Sequence, residues 1–418
     1  MLKFMPPAAN SGLPRNGYKH TKSESNIATI DVGGQLFQTT KQTLNLAGPD
    51  SLFSRISELA SAQLAPPFMD RDPELFSILL SLLRTDSPSS IATTPFGSVH
   101  VAHGSKITSF DWSLRKKSTI LTQFTAVDSM LAISPRTAVL GATDFSGLQI
   151  LDLENGFVKD TLNWENVTRS GSTVQAIGSS PEFLFSSFES VRRNSNSIMM
   201  YDLNSLSPVN EIGHYEIYGA EINSAIPATK LNWVSGYGLL MASGSHSGPS
   251  GVLGNIRFWD TRSGNVVWEI QEKVDCFSDV TVSDNLSSIF KIGVNTGGMF
   301  FADLRNMGAE NPWVSLGETK KVVNGKKEGS GCKIESHGSQ VFCSKGGNVE
   351  LWSEVVVGSK NSKNGTEVER LFRKNLMGRM KDMGGSRITN MAFGGNKMFM
   401  TRKDQQTVEV WQNSARGF

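Results

Sequence analysis

From Ile27 onward the hydrophobic and polar positions fall into two textures. The first starts with Ile27-Ala-Thr-Ile-Asp-Val32, where β-branched residues alternate with others and predict a strand. Gly33-Gly34 supplies a tight turn, and Gln35-Leu-Phe-Gln-Thr39 a second short strand, giving a hairpin. Lys41–Leu46 reads as a short helix stopped near Gly48-Pro49. Leu52, Phe53, Ile56 and Leu59 then recur at helical spacing, with Ser51 or Asp50 placed as N-cap. Asp72 can accept bonds from free helix N–H groups, and Pro73 suits a first helical position, where no donor is needed. The helix they open carries Leu75, Phe76, Leu79, Leu80, Leu82 and Leu83 on a broad apolar face, and Ser87-Pro88-Ser89-Ser90 closes the unit. Residues 27–86 therefore predict a compact α+β module. Residues 1–26, rich in Pro, Asn, Ser, Gly and Lys, show no apolar period and predict a flexible tail.

The second texture fills residues 96–418: short strands punctuated by Gly, Ser, Asn and Asp, interrupted only by a charged, helix-compatible stretch at 366–382. A repeat runs through it, a strand ending in an aromatic or aliphatic residue and then Asp or a polar residue before a turn. It occurs at Ile107–Asp111, Leu148–Asp152, Ile198–Asp202, Ile256–Asp260, Met299–Asp303, Val349–Ser353 and Val408–Gln412. Successive marks lie 41, 50, 58, 43, 50 and 59 residues apart. The shortest spacings match the period of about 40–45 residues of WD-type propeller blades, and the excess is assigned to surface loops. Four-stranded blades cannot hide both faces alone, and radial stacking buries them. Seven marks predict an all-β propeller of seven blades. Six remain open, because little chain separates the first module from Asp111.

Composition narrows the function classes. The 418 residues exceed what one core usually serves. Lys plus Arg number 41 against 39 Asp plus Glu, a balance that argues against a nucleic-acid binder. Cys276, Cys332 and Cys343 are too few and scattered for a disulfide framework or a zinc site, so no metal and no cofactor are expected. No apolar run is long enough to span a bilayer. A non-secreted protein of the cytoplasm or nucleus is the expectation.

No catalytic constellation stands out. His100 and His103 would project from opposite faces of a strand. Gly244-Ser-His246-Ser-Gly248 has His where a nucleophile elbow needs Ser, and reads as a Gly/Ser loop. Gly325–Gly331 lacks the Gly-Lys-Ser/Thr ending of a phosphate-binding loop. The basic runs at Lys320-Lys321, Lys326-Lys327 and Arg370–Lys381 read as solvated loops. Asp111, Asp152, Asp202, Asp260 and Asp303 read as structural, satisfying backbone donors in the turn after each strand.

The segment from Val32-Gly-Gly through Phe37, Thr39-Thr40 and Thr43-Leu44, followed by Ser51-Leu-Phe53 and Asp70-Arg-Asp-Pro73-Glu-Leu-Phe76, closely resembles the BTB/POZ domain of the potassium-channel tetramerisation subtype. With a WD-like second half ending in Phe393-Gly-Gly-Asn396, the chain resembles plant BTB/POZ proteins with WD-like repeats. That resemblance implies a substrate adaptor of a cullin-3-type ubiquitin ligase, non-enzymatic, whose first domain binds the cullin and self-associates as a homo-oligomer. The propeller would capture a protein substrate. Leu52, Phe53, Arg55, Asp70, Arg71 and Asp72 are the candidates for the cullin or subunit contact, with core packing and helix capping as their alternative roles. The substrate loops are sought at 204–230, 243–255 and 358–385. The rival readings are an oligomeric scaffold or transcriptional co-regulator without ligase role, and a propeller enzyme, for which no repeated set of channel carboxylates or histidines is present.

Overall fold

A computed structural model describes residues 27–41, 44, 51–62, 65–76, 88–124, 126–142, 145–163, 173–189, 197–213, 226–248, 251–317, 327–355, 370–377, 386–403 and 405–412. The chain divides into two compact units, residues 1–84 and 85–418.

In the first unit, strands Ile27–Val32 and Gln35–Thr40 pair antiparallel, and Phe68–Met69 adds to the first of them in parallel. Gly33 and Gly34 both take positive φ, +56° and +89°, as a two-residue hairpin turn of this hand demands. Gly33 is needed twice over, since a Cβ there would lie 2.6 Å from the Arg71 carbonyl oxygen. Ala28, Ile30 and Val32 share one face of their strand and are buried with Leu44, Ile56, Met69 and Phe76. Helix Leu52–Ala62 is capped by Ser51, whose Oγ accepts from the Ser54 N–H at 3.1 Å. Asp72 Oδ1 accepts from the Glu74 and Leu75 N–H groups, and Pro73–Phe76 are helical. Leu79, Leu80, Leu82 and Leu83 lie outside the described residues.

The second unit is a ring of seven antiparallel sheets, six of them four-stranded, with three strands described in the last. This is a β-propeller. Its blades begin at Pro88, Ser129, Thr173, Lys230, Phe277, Ile334 and Ile388. The seven sequence marks are the third strands. The question of six blades or seven is decided by Pro88–Thr93, which pairs with Val99–His103 as the first strand of blade 1. Its first residues, Pro88-Ser89-Ser90, read in sequence as the close of the preceding module because Pro and Ser mimic a linker. In the strand Ser90 and Ala92 turn inward and are buried, and Ser89 Oγ donates at 2.6 Å to the Val127 carbonyl on the link into blade 2.

Seven apolar clusters fill the seams between blades. A single third strand serves two of them. Ile256 and Phe258 pack with blade 5, while Trp259, on the opposite face of the strand, packs with blade 3. Val99, Val101 and Phe399 close the ring between blades 7 and 1, joined by Thr93 Oγ1 donating to the Phe393 carbonyl at 2.6 Å.

Two expectations are corrected. Residues 243–255 are not a loop: Leu239–Gly248 and Gly251–Asp260 form one long hairpin in blade 4, in register from Leu239↔Asp260 to Gly248↔Gly251. Small residues are required there by neighbouring chain. A Cβ on Gly244 would lie 2.0 Å from the Pro227 oxygen, and one on Gly254 would lie 2.5 Å from Cys276 Sγ. Within the charged stretch 366–382, Leu371–Leu376 is the outer strand of blade 6 and not a helix. Of the other candidate loops, Pro208–Ile212 is also a strand, and 214–225, 358–369 and 378–385 lie outside the described residues.

Candidate functional site

Antiparallel order fixes what each end of the ring carries. Links between blades, and turns between second and third strands, lie at one end; turns between first and second and between third and fourth strands lie at the other. We call these the linker end and the turn end.

At the linker end, a cavity of about 220 Å³ is lined by the first strands of blades 4 to 7. Lys230 opens the first strand of blade 4 and donates to Asp279 of blade 5 at 3.4 Å, to Glu335 of blade 6 at 2.7 Å and to the Ile334 carbonyl at 3.1 Å. Asp279 is oriented in turn by the Val280 and Ile334 N–H groups at 2.9 and 3.0 Å. Burial works against the Lys230 charge, but the two carboxylates outweigh it and hold the ammonium above its ordinary pKa. Burial lifts the Glu335 pKa, Lys230 opposes that and Asp279 reinforces it. Lys333 adds a second positive charge to the lining, so its four charged groups balance. Ser243, Ser245, Ser278, Thr389 and Asn390 supply neutral donors and acceptors around them. This cup can bind through hydrogen bonds. Cys276, Cys332 and Cys343 are all buried, and burial pushes each pKa up, that of Cys276 to about 12.

At the turn end stand the five aspartates, one in each of blades 1 to 5. Asp111 Oδ1 accepts from the Ser113 and Arg115 N–H groups, Asp152 from Glu154 and Asn155, Asp202 from Asn204 and Ser205, Asp260 from Arg262 and Asp303 from Arg305. Each carboxylate is held below its usual pKa. The Ser113 hydroxyl contributes most at Asp111, Asn155 at Asp152, Ser205 at Asp202 and Arg262 at Asp260; at Asp303 burial acts in the opposite sense and Arg305 outweighs it.

In the N-terminal unit the six candidates separate. Phe53 packs into the core, 5.9 Å from the Phe76 ring, and Asp72 caps. Leu52, Arg55, Asp70 and Arg71 are exposed, Leu52 at 55%. So are Leu36, Leu59, Phe68 and Leu75, at 62, 45, 66 and 61%. That is a large apolar exposure for a unit of this size.

His100 is buried with Nδ1 2.8 Å from Ser109 Oγ, and burial, aided by Lys117, pushes its pKa down to about 4. Among the described residues no group of three or more His, Cys, Asp or Glu side chains could hold a metal ion, and no helix is long and apolar enough to cross a membrane. Sequence reasoning missed Lys230, Asp279 and Glu335, which come from three blades and share no local motif.

A family model described as At2g24240-like, C-terminal beta propeller matches residues 84–413, and one described as BTB/POZ domain matches residues 28–94. The chain belongs to this BTB–propeller family. It is similar to BTB/POZ domain-containing protein At5g41330 of Arabidopsis thaliana, 56% identical over 94% of this chain and 98% of that one. BTB/POZ domain-containing protein At2g24240 of the same plant is 24% identical over 92% of this chain and 96% of its own. Among solved structures, Kuenenia stuttgartiensis Hydrazine Synthase superposes with a TM-score of 0.55 at 11% identity, covering 79% of this chain and 96% of that one, a likeness of fold alone. BTB and propeller domains are protein-interaction modules, and the chain fits an adaptor or scaffold that joins partners.

Proposed function

We propose that this BTB–propeller protein is a substrate adaptor of a cullin-3-type ubiquitin ligase. The BTB unit binds the cullin and self-associates, and the propeller captures a protein substrate. The observation that carries the reading is the exposed apolar set Leu36, Leu52, Leu59, Phe68 and Leu75 on a unit whose own core is already filled by Ile30, Ile56 and Phe76. Exposed leucine and phenylalanine side chains gain by being covered by another chain. Self-association would also multiply weak propeller contacts through effective concentration.

Affinity purification of the tagged full chain from plant tissue, read for cullin, tests the reading. Wild type brings down cullin, and L52D or the charge reversal D70R/R71E reduces recovery at least tenfold with the melting temperature unchanged. Phe53 is unsuitable as a probe, since its replacement would disturb the core. Absence of cullin from the wild-type purification, with other partners recovered, would favour an oligomeric scaffold or transcriptional co-regulator.

A further inference from the structure

Three large apolar side chains stand out of the turn end of blade 1: Phe96 at 76% exposure, Trp112 at 66% and Leu114 at 38%. They sit on turns that hydrogen bonds hold rigid. Thr94 N–H donates to the Ser98 carbonyl and Gly97 N–H to the Thr94 carbonyl, both at 2.9 Å. Asp111 Oδ1 gathers Ser113 N–H, Ser113 Oγ and Arg115 N–H within 2.9 Å. The turns touch: a Cβ on Gly97 would lie 4.0 Å from Trp112 Cβ and 3.4 Å from the Gly394 oxygen of blade 7. Lys397 of blade 7 donates to the Trp112 carbonyl at 2.8 Å.

Comparison between blades makes Leu114 unusual. The turn after the third strand needs one left-handed residue, and blades 2 and 4 place Gly156 and Gly264 there, at φ +75° and +71°. Blade 3 uses Leu206 at φ +55°, with its side chain packed against the seam with blade 2. Leu114 at φ +65° carries the same backbone strain, and its residue stays 38% exposed. Around it Arg115, Lys116 and Lys117 are exposed, and Lys397 is half-buried. The only acid in these turns, Asp111, is occupied by the turn itself.

We propose that Phe96, Trp112 and Leu114, flanked by Arg115, Lys116, Lys117 and Lys397, dock an acidic peptide segment of a partner protein through an aromatic or aliphatic anchor. Rigid turns limit the ordering cost of binding, and exposed Trp and Arg are the side chains on which such contacts concentrate. The complementary charge is negative. A formal net charge of +2 over the whole chain does not provide the extended basic surface that a nucleic acid or an anionic bilayer requires, whereas a short peptide needs only these four cations. The proposal rests on the propeller being the capturing half of the molecule and not on the cullin.

The test is a selection of random twelve-residue peptides on the immobilised full chain, followed by fluorescence anisotropy on the winners. Enriched peptides should place Asp or Glu around Phe, Trp or Leu and bind more weakly as salt rises. W112A and K116E/K117E should each weaken binding at least tenfold, with V274A, at a residue 90% exposed on the linker end, binding as wild type. Thermal melts of all four proteins should coincide. Neutral or basic winners, or winners that W112A binds equally, overturn the proposal. So does tighter, Trp112-dependent binding of a uridine dodecamer or of phosphatidylserine vesicles, or a dimer that W112A dissolves. Peptide capture without cullin binding would sink the ligase reading alone, and cullin binding without peptide capture would sink this one alone.

Discussion

Lys230, on the first strand of blade 4, donates to Glu335 on the first strand of blade 6 at 2.7 Å, reaching across the first strand of blade 5. One ammonium thus ties three blades at the cavity. K230M should leave Asp279 and Glu335 facing each other with only Lys333 of the lining as counter-charge. Their side chains stay 11% and 28% exposed, so the loss should be about 2 kcal/mol, below the roughly 3–5 kcal/mol of a fully buried pair. The folded variant would hold a proton on Glu335 that the unfolded chain releases, so its stability should fall as pH rises. Melting curves of wild type and K230M at pH 5 and 7.5 check this, and a deficit no smaller at pH 5 would contradict it.

His100 gives the opposite sign. Its folded pKa of about 4 lies below the ordinary 6.5, so the unfolded chain takes up the proton first as pH falls. Stability should be full above pH 6.5 and decline towards pH 4, by at most about 3 kcal/mol. In H100Q the part of the decline due to this site should vanish, which urea titrations at pH 7 and 5 would read.

Gly244 lies where the hairpin of blade 4 meets backbone. A Cβ there would approach the Pro227 oxygen to 2.0 Å, and a carbonyl cannot swing aside as a side chain could. G244A should cost about 1–3 kcal/mol by overpacking, with S245A, exposed next to it, near neutral. Chemical denaturation of the two variants decides the matter.

The legible parts of this chain were those written in short range. The alternation at Ala28, Ile30 and Val32, the Ser51 and Asp72 caps and the seven third strands all follow from spacing within a few residues. What local pattern misassigned was Gly- and Ser-rich chain such as Gly244–Gly248, where smallness serves close approach between elements far apart in sequence. Pro88–Thr93 read as a linker because its strand character depends on a partner, Val99–His103, and on the link into blade 2. The Lys230 cluster joins positions 49 and 105 residues apart, a separation that no local motif records. Trp112 directly follows a recognised mark, yet only the fold puts it in solvent beside Phe96.

The central claim is that the exposed apolar residues of the BTB unit engage a cullin. Titration of the purified full chain with the N-terminal domain of a plant cullin-3, by calorimetry, tests it most directly. The account predicts a saturable complex of one cullin per chain that L52D weakens at least tenfold, with both proteins folded. No heat and no complex with folded wild-type chain would contradict it.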